Sequence, residues 1–252
     1  MRSVLLHRVV RGAITVSVLA LLARSVFAAE IRINPNRLPN QDWDMFINIT
    51  GTITKDDPAR FIAVVAAAKL VPRGTTIMLQ SDGGDVYAAI EIGRYVRALR
   101  LATMASNSCV SACVFILAGG VHRFTDPNRA IIGIHRPFST DTNATNLAGA
   151  DARYKRLDSL VRSYFKEMNI SGTLADVMLR TPPQDVVFLT WDQGEQYGLI
   201  GWDPAEADLL ASDKARQYGI SKQEYFRRFK RTEKECGGVD MNCYEAIMHG
   251  TR

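Results

Sequence analysis

Residues 107–138 read NSCVSACVFILAGGVHRFTDPNRAIIGIHRPF, and this stretch contains the most informative changes of pattern in the chain. It begins with small residues around Ser111 and continues into an apolar segment, residues 112–118, which two glycines end. After a polar turn, the isoleucine-rich run 131–134 leads to His135. A segment that is apolar on every side is typical of a helix buried in the core. The pattern therefore predicts a serine at the start of a buried helix and a histidine at the end of a strand.

Ser111 and His135 are the residue types that nucleophilic acyl chemistry requires. A hydroxyl at its ordinary pKa is a weak nucleophile, so it needs an adjacent base, and imidazole is the most frequent one. A single histidine after a strand is ordinarily structural, but the serine turn before it favours the catalytic interpretation.

A pair of glycines lies upstream, in the segment QSDGGD at residues 80–85. A strand is predicted before it, over residues 75–79, and a helix after it. Glycine permits backbone conformations that other residues avoid, and N–H groups at a helix N-terminus can bind an oxyanion. The alternative for Gly83 and Gly84 is an ordinary tight turn.

Hydrophobic patterns predict strands and helices in alternation. Strands are predicted at residues 45–54, 75–79 and 101–106, with one helix between each pair, so the order is β-α-β-α-β with parallel strands. An amphipathic helix at 154–168 and a short strand at 186–189 follow. The fold class is therefore α/β.

Four blocks of the sequence have counterparts in a known superfamily. They are Ser81-x-Gly83-Gly84; Ser111-x-x-x-Phe115-x-Leu117-Ala118-x-Gly120; Ile134-His135-x-Pro137; and Phe188-Leu189-Thr190 with Glu195-x-Tyr197-Gly198-Leu199. In this order, and with gaps that agree to within a few residues, they resemble the proteolytic subunit of the Clp protease and its ClpP/crotonase-fold relatives. The resemblance covers residues 47–201. It implies a spiral of repeated β-α units, followed here by an additional helical C-terminal segment.

The resemblance implies a serine peptidase. In that reading Ser111 is the nucleophile, His135 is the base, and the backbone amides of Gly84 and Ala112 hold the oxyanion. It implies a peptide or an unfolded protein as substrate, and neither a cofactor nor a metal. It also implies homo-oligomers, because the family associates through the region after the histidine; the C-terminal segment could block or replace that contact.

The third member of the triad is less well marked by the sequence. The family's acid aligns with Val186, so the neighbouring Asp185 is predicted to orient the imidazole, with Asp192 as a more distant candidate. An ordinary loop aspartate is the alternative for Asp185. Asp82 stands where many relatives have proline, which predicts that the oxyanion site is held differently in this chain.

The sequence is also compatible with functions that do not use this triad. A serine–lysine dyad, as in the signal peptide peptidase A branch of the superfamily, would use Lys155, but its helical periodicity places this residue on the solvent face. A binding or scaffold protein that keeps the fold without turnover is a second alternative. A cysteine nucleophile and acyl-CoA chemistry on the related crotonase fold are disfavoured.

The first 28 residues are predicted to be a signal peptide. Three arginines precede an apolar run at 13–23, and Val26-Phe27-Ala28 fits a cleavage site. An uncleaved N-terminal anchor is the alternative, and it would be the one source of membrane contact.

Without the four arginines of this segment, 27 basic residues balance 26 acidic ones, so charge gives no argument for nucleic acid. The remaining divisions are a lead-in at 29–44, the ClpP-like domain at 45–203 and a helical extension at 204–252.

Four cysteines favour an oxidising compartment, periplasmic or extracellular. Cys236 and Cys243 flank a short loop and are predicted to form a disulfide. Cys109 and Cys113 either bridge across the serine turn or remain small buried thiols. No cluster of histidines accompanies either pair, so a metal site is not expected. An exported chain meets no ATP pool, and no ATPase partner is therefore expected.

Overall fold

The computed structural model describes residues 28–34, 45–68, 70, 72, 74–125, 130–138, 147–236 and 240–252. Within these residues the chain is of the predicted α/β class. The strands are β1 (Glu30–Asn34), β2 (Met45–Thr50), β3 (Thr75–Ser81), β4 (Ala102–Val110), β5 (His122–Thr125), β6 (Ile131–Ile134), β7 (Val187–Leu189) and β8 (Gly201–Trp202). The helices are α1 (Asp57–Ala67), α2 (Val86–Ala98), α3 (Cys113–Gly119), α4 (Leu147–Glu167), α5 (Gly172–Arg180), α6 (Trp191–Gln196), α7 (Pro204–Gln217), α8 (Lys222–Glu235) and α9 (Met241–His249).

The predicted signal peptide lies outside the described residues except for Ala28, and so does the second part of the lead-in, residues 35–44. The first part of the lead-in is strand β1, which pairs antiparallel with β2. Helix α4 begins seven residues before the predicted start of the amphipathic helix.

Strands β2, β3 and β4 run parallel, and α1 and α2 connect them, which confirms the predicted β-α-β-α-β order. The sheet continues from β4 to β5 and then to β8, which is antiparallel to β5. Residues 122–125 form β5, a strand that the sequence pattern did not predict. The segment is short and does not alternate, so its strand conformation depends on pairing with β4.

Strand β4 changes its neighbour half-way along its length. Its first half pairs with β5 and its second half with β6, which in turn pairs antiparallel with β7. Between the halves the register with β3 shifts, so that Leu79 faces Ala105 but Ser81 faces Cys109. Two steps along β3 thus correspond to four along β4. This bulge turns the end of β4 away from β5 and towards β6.

Helix α3 lies at the centre of the core, and every residue in it is buried, as predicted. Glycines allow α2 to cross it closely, since a β carbon at Gly119 would lie 2.3 Å from the carbonyl oxygen of Gly93. From α4, the hydroxyl of Tyr164 donates a hydrogen bond of 2.6 Å to the carbonyl of Phe115. Core packing therefore fixes the start of α3, where the candidate nucleophile lies.

The C-terminal helices α7, α8 and α9 enclose a small apolar cluster of their own, formed by Ala211, Ala215, Tyr225 and Met248. Cys236 and Cys243 form a disulfide between α8 and α9, in agreement with the predicted pair.

No helix within the described parts of the chain has the length and apolar character needed to cross a bilayer. The disulfides indicate an oxidising, non-cytoplasmic location.

Candidate active site

Ser111 occupies the sharp turn between the end of β4 and the start of α3. Its φ of 57° is in the left-handed region, which non-glycine residues rarely adopt and which often marks a functional position. Its amide donates a hydrogen bond of 2.9 Å to the carbonyl of Gly133, and its own carbonyl accepts one of 3.1 Å from Val114. The backbone of Ser111 is thus held by the sheet on one side and by the helix on the other.

The side chain of Ser111 is half-buried, and its hydroxyl makes no hydrogen bond with any described residue. A disulfide joins Cys109 to Cys113 across the turn, and both cysteines are fully buried. The sequence left open whether these two cysteines form a disulfide or remain thiols, and the structure contains the disulfide.

His135 directly follows β6, which is the strand beside the second half of β4. Val110 is in register with Gly133, so Ser111 and His135 both lie just beyond the carboxyl ends of neighbouring parallel strands. The imidazole is buried, with 8% of its surface exposed. The structure thereby brings the backbones of the two predicted catalytic residues to the same end of the sheet.

The imidazole of His135 has a backbone partner. Its Nδ1 lies 3.1 Å from the carbonyl oxygen of Arg136. Because a carbonyl only accepts, Nδ1 must carry the hydrogen of this bond, which leaves Nε2 of the neutral ring as an acceptor. That tautomer is the one a general base needs.

The two glycines upstream are packed between Ile53 and the serine turn. Their φ values are 109° for Gly83 and 140° for Gly84, and the isolated bridge between Ile53 and Gly84 continues the sheet there. A β carbon on Gly83 would lie 2.7 Å from Cβ of Ser111, and one on Gly84 would lie 2.0 Å from the carbonyl oxygen of Ile53. No residue with a side chain fits at either position without movement of the backbone.

Two backbone amides in this region have free donors. Neither the N–H of Gly84 nor that of Ala112 donates a hydrogen bond to the described residues. The two segments are adjacent, since a β carbon on Gly83 would lie 3.0 Å from the nitrogen of Ala112. Free amides beside a hydroxyl are what an oxyanion site consists of.

Polar side chains hold the glycine loop in place. Ser81 accepts a hydrogen bond of 3.1 Å from the amide of Gly83, and Asp82 accepts one of 3.2 Å from the hydroxyl of Ser108, in the bulge of β4. Asp82 therefore ties the loop to the strand that leads to Ser111. The sequence marked Asp82 only as a departure from proline, and it gave no sign of the contact with Ser108.

Among the described residues, neither a hydrogen bond nor an ion pair joins Asp185 to the imidazole of His135. The side chain of Asp185 is exposed, and its carboxylate makes no hydrogen bond within the described residues. Ile134 of β6 is in register with Val187 of β7, so one further step places Val186, not Asp185, opposite His135. The imidazole instead has the carbonyl of Arg136 as its hydrogen-bond partner. The residue types in a sequence do not reveal such a partner, because it is a backbone group.

Lys155, the candidate base of a dyad, lies on the surface of α4 with 74% of its side chain exposed. Its ammonium group forms an ion pair of 2.8 Å with Asp151. The hydrogen bond to Asp151 raises the pKa of Lys155, whereas a lysine that acts as a base needs a lowered pKa.

His122 is not part of this site. It stacks on Trp202 with the ring centres 4.1 Å apart. His122 lies beside the start of β4, whereas Ser111 follows the end of this strand. Burial lowers its pKa, and the neighbouring Arg123 adds to the effect.

Compared with known proteins, the chain matches no protein-family model and no curated protein.

Proposed function

We propose that this protein is an exported serine endopeptidase of the ClpP/crotonase fold. The observation that carries the proposal is the arrangement at the carboxyl ends of β4 and β6. There Ser111 occupies a left-handed turn, and its amide donates a hydrogen bond to the strand that leads to His135. The amides of Gly84 and Ala112, which donate to none of the described residues, lie close by. A nucleophile in a left-handed turn, an imidazole whose Nε2 can accept a proton and two available amides together fit acyl transfer.

In the proposed reaction, Nε2 of His135 takes the proton of the Ser111 hydroxyl as Oγ attacks the carbonyl carbon of a peptide bond. The amides of Gly84 and Ala112 donate hydrogen bonds to the resulting oxyanion. The imidazolium then gives its proton to the leaving amine, and the acyl group remains on Ser111. Water, deprotonated by the same imidazole, then attacks the acyl carbon. The bond between this carbon and Oγ breaks, the imidazolium returns its proton to Oγ, and the acid leaves.

The proposal assigns the orientation of the ring to the carbonyl of Arg136, because this is the group that accepts from Nδ1. Asp185 as the orienting acid remains a prediction from the resemblance. A backbone carbonyl fixes the tautomer, but it stabilises an imidazolium less than a carboxylate does, so a moderate turnover is expected.

The substrate in this proposal is an extended, flexible peptide. Strand β7 pairs with β6 on one edge, and its other edge is unpaired in the part of the chain that the structure describes. Val187 and Phe188 on this strand are exposed, and Phe188 has 57% of its surface in solvent. An extended chain can add to such an edge through main-chain hydrogen bonds and place apolar side chains on it. Neither ATP nor an unfoldase is required for a substrate that is already unfolded.

A binding protein without turnover is the second candidate. Two observations favour it: the Ser111 hydroxyl makes no hydrogen bond to the residues that the structure describes, and Asp185 is exposed. Hydrogen bonds of a catalytic site are often loose until a substrate is bound, and for this reason the enzyme remains the first candidate.

A fluorophosphonate probe tests the proposal, since it reacts only with an activated serine. We expect it to label Ser111, which trypsin releases on the single peptide 101–123. The variant Ser111→Ala should lose the label, and Ser212→Ala, in α7, should keep it. Labelling that persists in Ser111→Ala would refute this assignment. Binding of unfolded peptides without any labelling would instead support the binding protein.

A further inference from the structure

The disulfide between Cys109 and Cys113 encloses the candidate nucleophile. We propose that this bond is a positioning element of the active site, so that the reactivity of Ser111 depends on it while the fold does not. The inference rests on the proposed function and adds to it a pair of residues that no step of the reaction uses.

The bond joins two elements that are already fixed. Cys109 lies inside the sheet, in register with Ser81 of β3 on one side and with Ile132 of β6 on the other. Cys113 is the first residue of α3, which is buried along its whole length. Sheet pairing and core packing hold both ends without the disulfide, so its loss should leave the surrounding structure in place.

Only three residues lie between the two cysteines, and two of them have roles in the proposed chemistry. Ser111 supplies the nucleophile, and Ala112 supplies one oxyanion donor. The short covalent ring therefore controls the position of the hydroxyl and of the donor together. The third residue between the cysteines is Val110, which is in register with Gly133.

The turn needs such a constraint because Ser111 has a left-handed backbone, with φ at 57°. For a residue with a β carbon this conformation costs about 1–3 kcal/mol, and it persists only where the surroundings enforce it. Closing a short loop restricts the alternatives open to the chain. On the other side, Gly83 is packed so closely against Ser111 that the turn has little room to shift without moving the oxyanion loop.

A relaxed turn would displace the hydroxyl relative to His135 and to the two amides. A displacement of about 1 Å at a catalytic group costs roughly a hundredfold in rate. The binding surface at β7 does not include the turn, so the affinity for a peptide or a probe should change little. The disulfide between Cys236 and Cys243, in the C-terminal helices, supplies a matched control within the same chain.

The native sequence allows a direct test, because the tryptic peptide 101–123 carries Ser111 and both cysteines. Protein made in an oxidising and in a reducing compartment is mixed, treated with a fluorophosphonate, alkylated at its free thiols under denaturing conditions and digested. Mass spectrometry then reads the label and the redox state on one peptide. We expect the label to be at least about tenfold enriched on the peptide with the intact disulfide. Equal labelling of the two forms would overturn the inference.

A second measurement separates position from folding. The variants Cys109→Ala and Cys113→Ala and the double variant all lack the bond, and circular dichroism and thermal unfolding report their fold. The rate constant of inactivation should fall by about tenfold or more in all three, with the probe affinity within about a factor of two of the native value. The double variant Cys236→Ala/Cys243→Ala should keep both values.

The possible failures are distinct. A native rate constant in the three variants would overturn the inference alone, and so would a loss of rate that parallels a loss of folded protein. Absence of labelling in the oxidised native protein would overturn the proposed function, and the inference with it.

Discussion

The amide of Ser111 donates a hydrogen bond of 2.9 Å to the carbonyl of Gly133, two residues before His135. This bond extends the ladder between β4 and β6 by one step beyond the last paired residues. The sheet, and not a flexible loop, therefore sets how the backbone of the serine lies relative to the strand that leads to the histidine. Sites that are built on paired strands keep their geometry better than sites on loops.

His135 is predicted to be the general base. His135→Gln keeps a polar side chain of similar size but cannot take up a proton, so the rate of fluorophosphonate labelling at Ser111 should fall by about 10²–10⁴-fold. Lys155→Gln is the matched control, since Lys155 is exposed and paired with Asp151, and it should label at the native rate. Loss of labelling in Lys155→Gln with retention in His135→Gln would establish the dyad.

Asp185→Asn tests the third member of the triad. The carbonyl of Arg136 already accepts from Nδ1 of His135, and the Asp185 carboxylate makes no hydrogen bond to any described residue. We therefore expect the labelling rate to stay within about threefold of the native rate, where loss of a triad aspartate costs about 10⁴-fold. A loss of that larger size would show that Asp185 moves to the ring when the substrate analogue binds.

Local patterns were sufficient for the parts of the fold in which neighbouring residues determine the structure. The all-round apolar character of residues 112–118 predicted the buried helix. The order of the parallel strands β2, β3 and β4 followed from the helices between them. These features depend on spacing within a short segment, which a sequence displays directly.

The rest depends on contacts between distant segments. The bulge between Ala105 and Cys109 accompanies the exchange of β5 for β6 beside β4, and no single segment encodes that exchange. The same limit applies to Asp185, for which a shift of one residue in the register of β7 decides whether the side chain faces His135. A backbone carbonyl as the partner of an imidazole is visible only in three dimensions.

Gly83→Ala is predicted to damage the site from the side opposite the disulfide. The added β carbon would lie 2.7 Å from Cβ of Ser111, and the φ of 109° is unfavourable for alanine. We expect a loss of stability of about 1–3 kcal/mol, measured by chemical unfolding, and a labelling rate reduced by at least about tenfold.

Gly219→Ala controls for the backbone conformation alone. Gly219 also has a positive φ, 64°, but nothing lies within 4 Å of an added β carbon there. It should lose some stability, about 1 kcal/mol, and keep its labelling rate. Equal labelling rates for the two variants would show that the contact between Gly83 and Ser111 does not matter for reactivity.

The stability of the protein should depend on the protonation of His122. Burial against Trp202 and the nearby Arg123 lower the pKa of His122, so the unfolded chain binds a proton more readily than the folded one. The stabilisation is complete above the unfolded pKa of about 6.5 and decreases as the pH falls below it. The melting temperature of His122→Gln should accordingly fall less than that of the native protein between about pH 7.5 and pH 5.5. Parallel curves for the two proteins would contradict this expectation.

The connection to the C-terminal helices depends on the charge of Asp203. Its buried carboxylate lies 2.7 Å from Arg97 and 3.2 Å from Arg123, which is completely buried. Burial, followed by repulsion from Arg97, lowers the pKa of Arg123 to about 10, so this guanidinium remains charged at neutral pH and needs its partner. Burial alone would raise the pKa of Asp203, but hydrogen bonds from Asn169 and Arg97 outweigh it and hold that pKa below its usual value.

Asp203→Asn keeps the N-cap of α7, because an amide oxygen can accept from Ala205 and Glu206 as the carboxylate does. It removes the negative charge, and breaking a buried pair in this way costs about 3–5 kcal/mol. Glu167→Gln, in an exposed pair with Arg94, is the control and should cost at most about 1 kcal/mol. Chemical unfolding at neutral pH measures both losses.

The difference in the free energy of unfolding between Asp203→Asn and the native protein should shrink in acid. The stabilisation by Asp203 is present above its unfolded pKa of about 3.9, and it is lost as the pH falls through the lower folded pKa. Equal losses for the two variants at neutral pH would show that this buried cluster does not hold the C-terminal helices in place.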